Sequence, residues 1–262
     1  ADSMYMHLTD AHCHANFSMF ADGDGLAVGL RACVDACFSG DWEGLRAFDA
    51  FEIKKAYGLH PDLRISEFDN IEFVEREVFE RFLPEVQQYL ISADAIGETG
   101  LDARISERVP MDLQRKVFAA QLKLADKFRL PVIVHCVGAW GGALDELLKW
   151  RQSGDNITES QRLRGEKEKR FLIHAARCSA EMVREFEKIG GYFSFGLREL
   201  SSEKGTLCAA AVPVDRLMVE SDGVSSREKI SETIEVLSKI KEVDPIELSE
   251  KIYLNFNNFY GK

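Results

Sequence analysis

Long apolar runs are missing from this sequence. No stretch approaches the roughly 20 consecutive apolar residues that span a bilayer. The N-terminus has no basic segment followed by an apolar one, so neither a membrane partner nor a secretory signal is expected. Cysteines at ligand spacing are missing as well. Cys13, Cys33, Cys37, Cys136, Cys178 and Cys208 are scattered, form no CxxC pair and mostly lie in apolar runs. That excludes a small disulfide scaffold and fits reduced thiols and a cytoplasmic location. Positive charge is scarce, with 33 Lys and Arg against 44 Asp and Glu, a net charge of −11. Such a surface repels nucleic acid at long range and argues against a protein that wraps duplex DNA. An enzyme that grips one strand end stays open, because bound cations reverse the field locally. Internal repeats and low-complexity linkers are also absent.

What the sequence has is alternation. Strand-like segments are Met4 to His12, Leu30 to Cys37, Lys55 to Leu59, Ala95 to Glu98, Pro131 to His135, Phe171 to His174, Gly191 to Phe195 and Leu217 to Glu220. Helical patterns separate them, among them a long amphipathic stretch from Ile71 to Leu90, Met111 to Phe128, and Ala180 to Ile189 with Ser179 as N-cap and Gly190 as stop. The tail from Glu228 to Tyr260 reads as two helices broken near Asp244-Pro245, and Arg151 to Lys169 as an exposed loop. Eight βα units imply parallel strands with right-handed crossovers. The expected fold is an α/β, TIM-type (β/α)₈ barrel formed by residues 1–262 as a single domain, with an open doubly wound sheet as the alternative.

Histidine is rare and unevenly placed. Of the six, only His7 lies away from a strand end; His12, His14, His60, His135 and His174 lie at or just past one, on the face where barrel active sites form. His12 and His14 form an H-x-H pair, and strand alternation points both imidazoles the same way; ordinary loop residues are the alternative. Two consecutive apolar strands end in His135 and His174, each of which alone reads as a core histidine. Glu98, flanked by glycines, is either a turn residue in solvent or a carboxylate spanning two cations, and Asp102 caps a helix in the first case. Asp222 follows the last strand and suits a ligand that also takes a proton from attacking water. Together His12, His14, Glu98, His135, His174 and Asp222 suffice for two divalent metal ions, with Glu98 and Asp222 as the catalytic carboxylates. Imidazole-rich N/O sites take Zn²⁺, Mn²⁺, Co²⁺ or Ni²⁺, and Mg²⁺ less naturally.

The segments Thr9-Asp10-Ala11-His12-Cys13-His14, Gly58-Leu59-His60-Pro61, Gly97-Glu98-Thr99-Gly100-Leu101-Asp102, Pro131 to His135, the strand ending at His174, and Glu220-Ser221-Asp222 resemble the TatD family of metal-dependent deoxyribonucleases, in order and spacing. The resemblance spans nearly the whole chain. It implies a distorted barrel, two divalent metals with Glu98 bridging them, hydrolysis of phosphodiester bonds, often from a DNA 3′ end, and His60 as a substrate-phosphate contact. The family's arginine two residues after the His135 position is replaced by Val137, its second histidine by Asp62, and the segment after His174 reads Ala175-Ala176-Arg177-Cys178. Arg177 is the expected substitute phosphate partner. Arg198 is a further anion candidate, and Trp140, ahead of Trp42 and Trp150, is the candidate for stacking on a base.

Three readings follow. The first is a nuclease acting on a DNA strand end. The second is a barrel hydrolase of a small amide, lactone or phosphoester. The third, a binding module without catalysis, gives no reason to keep six ligands. Oligomeric state is not encoded in any of these features.

Overall fold

The computed structural model describes residues 7–14, 30–48, 53–64, 69–153 and 168–261. Eight strands run in chain order through one sheet: β1 (Leu8–His14), β2 (Leu30–Ala36), β3 (Ile53–Tyr57), β4 (Ala95–Asp102), β5 (Val132–Val137), β6 (Phe171–Ile173), β7 (Gly191–Phe195) and β8 (Leu217–Val219). Every neighbouring pair is parallel. The chain just past β8 closes the ring against β1, where Asp222 N donates to His12 O and His14 N to Gly223 O, each at 3.1 Å. The expected (β/α)₈ barrel is therefore the observed one.

The outer layer follows the helical patterns. It comprises α1 (Trp42–Ala47), α2 (Ile71–Glu77), α3 (Leu83–Leu90), α4 (Met111–Phe128), α5 (Trp140–Gln152), α6 (Ala180–Lys188), α7 (Leu197–Leu200), α8 (Glu203–Ala211), α9 (Arg227–Lys241) and α10 (Pro245–Tyr260). Ser179 caps α6 by accepting from Met182 N, and Asp244 caps α10 by accepting from Ile246 N and Glu247 N. The stretch expected as one helix over 71–90 is interrupted by a widened turn at Val78–Phe82. Pro84 lacks an N–H, and its ring would meet the carbonyl four residues back in a regular helix, so the backbone opens there. Residues 154–167 of the expected loop, and the start of the first strand before residue 7, lie outside the described residues.

Two apolar layers hold the barrel. The larger lies between strands and helices. The smaller fills the barrel interior with one residue per strand, Ala11, Cys33, Ala56, Ala95, Ile133, Leu172, Tyr192 and Met218, and is plugged from below by Phe256, Phe259 and Tyr260 of α10. Strand side chains alternate, so the residue two further on points into the barrel one layer up. From Cys33, Ile133, Leu172, Tyr192 and Met218 this rule gives Asp35, His135, His174, Ser194 and Glu220, all of them buried.

Two strands break the alternation. The register of β1 shifts between Asp10 and Cys13, and that of β4 between Ile96 and Thr99. An extra residue re-aims the side chains that follow it. Ala11 and Ala95 face inward, and after the shifts so do His12 and Glu98, while Cys13 and Leu101 join the outer layer. β4 also runs on to Asp102, well past its expected end, so Glu98 is a mid-strand residue.

Gly100 permits the close approach of β4 to β5. A Cβ there would lie 1.9 Å from His135 O, at a φ of +148°. Gly100→Ala is expected to destabilise the fold by about 2 kcal/mol or more. Urea denaturation measures it, and an unchanged midpoint would show that the strands separate without cost.

Candidate active site

Six strands, or the residues just past them, bring their polar side chains to one point, and Glu98 is at its centre. The carboxylate is 2% exposed. Its Oε1 lies 2.6 Å from His135 Nδ1, 2.8 Å from His174 Nε2 and 3.4 Å from His60 Nε2. Its Oε2 lies 3.4 Å from His12 Nε2 and 3.6 Å from His14 Nε2. Asp222 Oδ1 joins this second group, 3.3 Å from His12 Nε2 and 3.4 Å from His14 Nε2. Each oxygen of Glu98 thus belongs to a different set of nitrogen donors.

Behind three imidazoles stands a second carboxylate. His12 Nδ1 donates to Asp35 Oδ2 at 3.0 Å, His135 Nε2 to Asp102 Oδ2 at 2.9 Å, and His174 Nδ1 faces Glu220 Oε1 at 3.4 Å. These partners fix the ring orientations and leave the other nitrogen turned toward Glu98. Ser194 in turn donates to Glu220, and Gln114 holds the backbone of Asp102.

Without a cation the centre is electrostatically self-opposed. His12 Nε2 and His14 Nε2 face each other at 3.2 Å, and His174 Nε2 and His135 Nδ1 at 3.4 Å. Two lone pairs at such distances repel unless a positive charge sits between them. Protons supply it here. Burial alone would lower the His174 imidazole, but Glu98, with Glu220 behind, outweighs this and raises it to about 10. His12 is raised for the same reason by Asp35, Asp222 and Glu98, and His135 by Asp102 and Glu98. Burial pushes the Glu98 and Asp222 carboxyls up, and the surrounding imidazoles overcome it and hold both well below the usual range.

These donors fit divalent cations. His12, His14 and Asp222 can meet at one ion, as can His12, Glu98 and His174, or His60, Glu98 and His135. The donor set is imidazole and carboxylate, which suits Zn²⁺ and its neighbours. Asp222 adopts a φ of +49° and Ala175, after His174, one of +46°. Such left-handed backbone at non-glycine residues is strained and gathers at functional sites.

A cleft of about 770 Å³ opens above the centre. Trp140 and Arg177 line it, as expected of a stacking residue and an anion partner, and so does Arg198. Trp42 and Trp150, the weaker stacking candidates, are only 0% and 4% exposed and pack in the outer core. His60, expected at the substrate, reaches the Glu98 cluster itself. Asp102, read as a helix cap, does cap a short turn through Arg104 N and also orients His135. The sequence reading passed over Asp35, Ser194 and Glu220. Counting two residues on from the apolar interior position of each strand would have found them.

Converging imidazoles and carboxylates at the C-terminal strand ends of a parallel barrel define a class, the metal-dependent barrel hydrolases. Comparison with known proteins is specific. The family model described as TatD related DNase matches residues 9–261. The chain belongs to this family. The uncharacterized metal-dependent hydrolase YabD of Bacillus subtilis is 30% identical over 130 residues, which is 49% of this chain and 45% of that protein. Deoxyribonuclease Tat-D of Schizosaccharomyces pombe is 25% identical over 128 residues, 49% of this chain and 37% of that one. The match thus spans less than half the length of either relative. The fold of YJJV, a TatD homologue from Escherichia coli, superposes with a TM-score of 0.78 at 19% identity, covering 99% of this chain and 100% of that one. No described helix is long and apolar enough to cross a membrane.

The raised His174 generates a pH dependence. A folded-state value of about 10 against an ordinary 6.5 means that its protonation stabilises the metal-free fold below about pH 6.5 and is lost as pH rises toward 10. A divalent ion competes with these protons. The rise in melting temperature on adding Zn²⁺ or Mn²⁺ to chelator-treated protein is therefore expected to grow from pH 6.5 to 9. A rise that shrinks with pH would contradict the assignment.

Proposed function

We propose that the chain hydrolyses phosphodiester bonds of DNA, working from a strand end, with two divalent ions held on either side of Glu98. The observation that carries this reading is the division of the Glu98 oxygens between two donor groups. His12, His14 and Asp222 would hold one ion and His135 and His174 the other, with Glu98 between them. His60 stands near the second as a phosphate contact.

Bound ions would supply Lewis acidity toward a phosphoryl oxygen and make an attacking water more acidic. The chain's own residues supply the rest. Asp222 is ionised throughout the working range and offers Oδ1 to the water proton. Arg198 holds the other oxygen, Oδ2, at 3.0 Å and so fixes the orientation of Asp222. Arg177, 40% exposed along its side chain, reaches the cleft as a partner for phosphate oxygens. Trp140 offers a face for a base beside them. As the water oxygen bonds to phosphorus, the bond to the leaving oxygen breaks and its charge is taken up by solvent protons.

A small ester, amide or lactone as substrate is the second reading, favoured by a cleft volume typical of small-molecule sites, about 300–1,000 Å³, and by the acidic surface. One experiment separates the two. The chain loaded with Mn²⁺ or Zn²⁺ is expected to shorten end-labelled single-stranded DNA. Asp222→Asn should lower kcat by about 10²–10⁴-fold, and Glu98→Ala should abolish shortening. Intact DNA with every divalent ion, alongside turnover of a lactone or simple ester, would overturn the nuclease reading. Asp35→Ala tests the carboxylate behind His12. Metal affinity is expected to fall about 10–100-fold, measured by competition with a chelating dye; unchanged affinity would mean that His12 needs no orienting partner.

A further inference from the structure

We propose that Glu199 is a positioning residue that sets Arg177 and Arg198 at the cleft mouth as a receptor for a second phosphate of the substrate, next along the strand from the one being cleaved. This deepens the nuclease reading and rests on it.

Glu199 is 1% exposed, unusual for a carboxylate. Its Oε1 accepts from Arg177 Nη2 at 3.1 Å and from Arg198 Nε at 2.9 Å, and its Oε2 from Gly196 N at 3.2 Å. One buried acid therefore fastens two separate strand-end loops, the one after β6 that carries Arg177 and the one after β7 that leads into Arg198. A buried carboxylate is tolerated only when paired, so the two guanidiniums and Glu199 fix one another.

The pairing does not exhaust the arginines. Their side chains are 40% and 68% exposed, and the Nη1 groups make no hydrogen bond to another described residue. A planar guanidinium held along one edge keeps donors for an anion, in the geometry that matches phosphate. Arg104 and Lys204 line the same cleft, so cations gather there on a chain of net charge −11. The chain after His135 contributes Cys136, Val137, Gly138 and Trp140 to the lining, none of which carries a charge. Arg198 also donates to Asp222 Oδ2, which places the receptor one carboxylate away from the centre. A substrate with a single phosphate can fill the centre but not both places.

The test compares the metal-loaded chain with Glu199→Ala, Glu199→Gln and Arg177→Met on two substrates. One is a labelled single-stranded oligonucleotide, the other bis(4-nitrophenyl) phosphate, which has one phosphate and no neighbour. Glu199→Ala and Arg177→Met are expected to reduce the kcat/KM ratio of oligonucleotide to small ester about ten-fold, the effect of one charge-assisted hydrogen bond. Most of the loss should lie in KM. The double variant should be little worse than either single one, and Glu199→Gln, which keeps an acceptor oxygen, should recover part of the ratio. Equal losses on both substrates would overturn the proposal, because they mark a merely structural role. A second measurement, fluorescence polarisation of the oligonucleotide on metal-free protein, separates the two levels of the argument. Weaker binding in Arg177→Met without hydrolysis by any form would support the receptor and sink the nuclease reading. Binding equal to the unaltered chain's would sink the receptor alone.

Discussion

A carboxylate buried among five imidazoles governs this molecule. Glu98 has the nitrogens of His12, His14, His60, His135 and His174 between 2.6 and 3.6 Å from its two oxygens. Alone in the barrel its charge would be untenable, and the histidines without it would repel one another. The surroundings answer to that arrangement. Two register shifts turn His12 and Glu98 inward, a glycine lets β4 close on β5, and carboxylates behind three of the rings choose which nitrogen faces the centre. Beneath it lies an apolar layer that keeps water out from below, closed by the aromatic end of α10.

The substrate side is built on a different principle. The centre is assembled from the strands and the residues just past them, whereas the cations above it sit on the segments that follow β4, β6 and β7. The protein is acidic as a whole, and four arginine and lysine side chains line its cleft beside Glu98, Glu199 and Asp222. Loops of this kind vary in sequence more readily than the strands that carry them. The replacements after His135 and His174 fall on the cleft lining, where Cys136, Val137, Ala175 and Arg177 stand.

Much of this was legible in the sequence, for physical reasons. Parallel strands buried on both faces read as continuous apolar runs, so Pro131 to His135 and Phe171 to His174 announced both strands, although β5 runs on past His135 to Val137. Asp244-Pro245 and Ser179 marked helix boundaries through their capping chemistry. The extent of β4 was not legible, because glycines on both sides of Glu98 read as a turn when they serve a close strand approach. Nor was the widened turn near Pro84, whose cost is absorbed inside a helix that the periodicity makes look continuous. Asp35 and Glu220 were missed because the histidines drew the attention, although both carboxylates are buried in the same interior layer as His135 and His174. His60 was assigned to substrate alone, and only the folded chain brings it within reach of Glu98.

The account stands on Glu98 separating two cation positions. Anomalous diffraction from crystals of the chain loaded with Zn²⁺ or Mn²⁺ tests that directly. Two peaks are expected, one beside each Glu98 oxygen and about 3.5–4 Å apart, the first near His12, His14 and Asp222 and the second near His135 and His174. A single peak away from Glu98, or none at saturating metal, would contradict it.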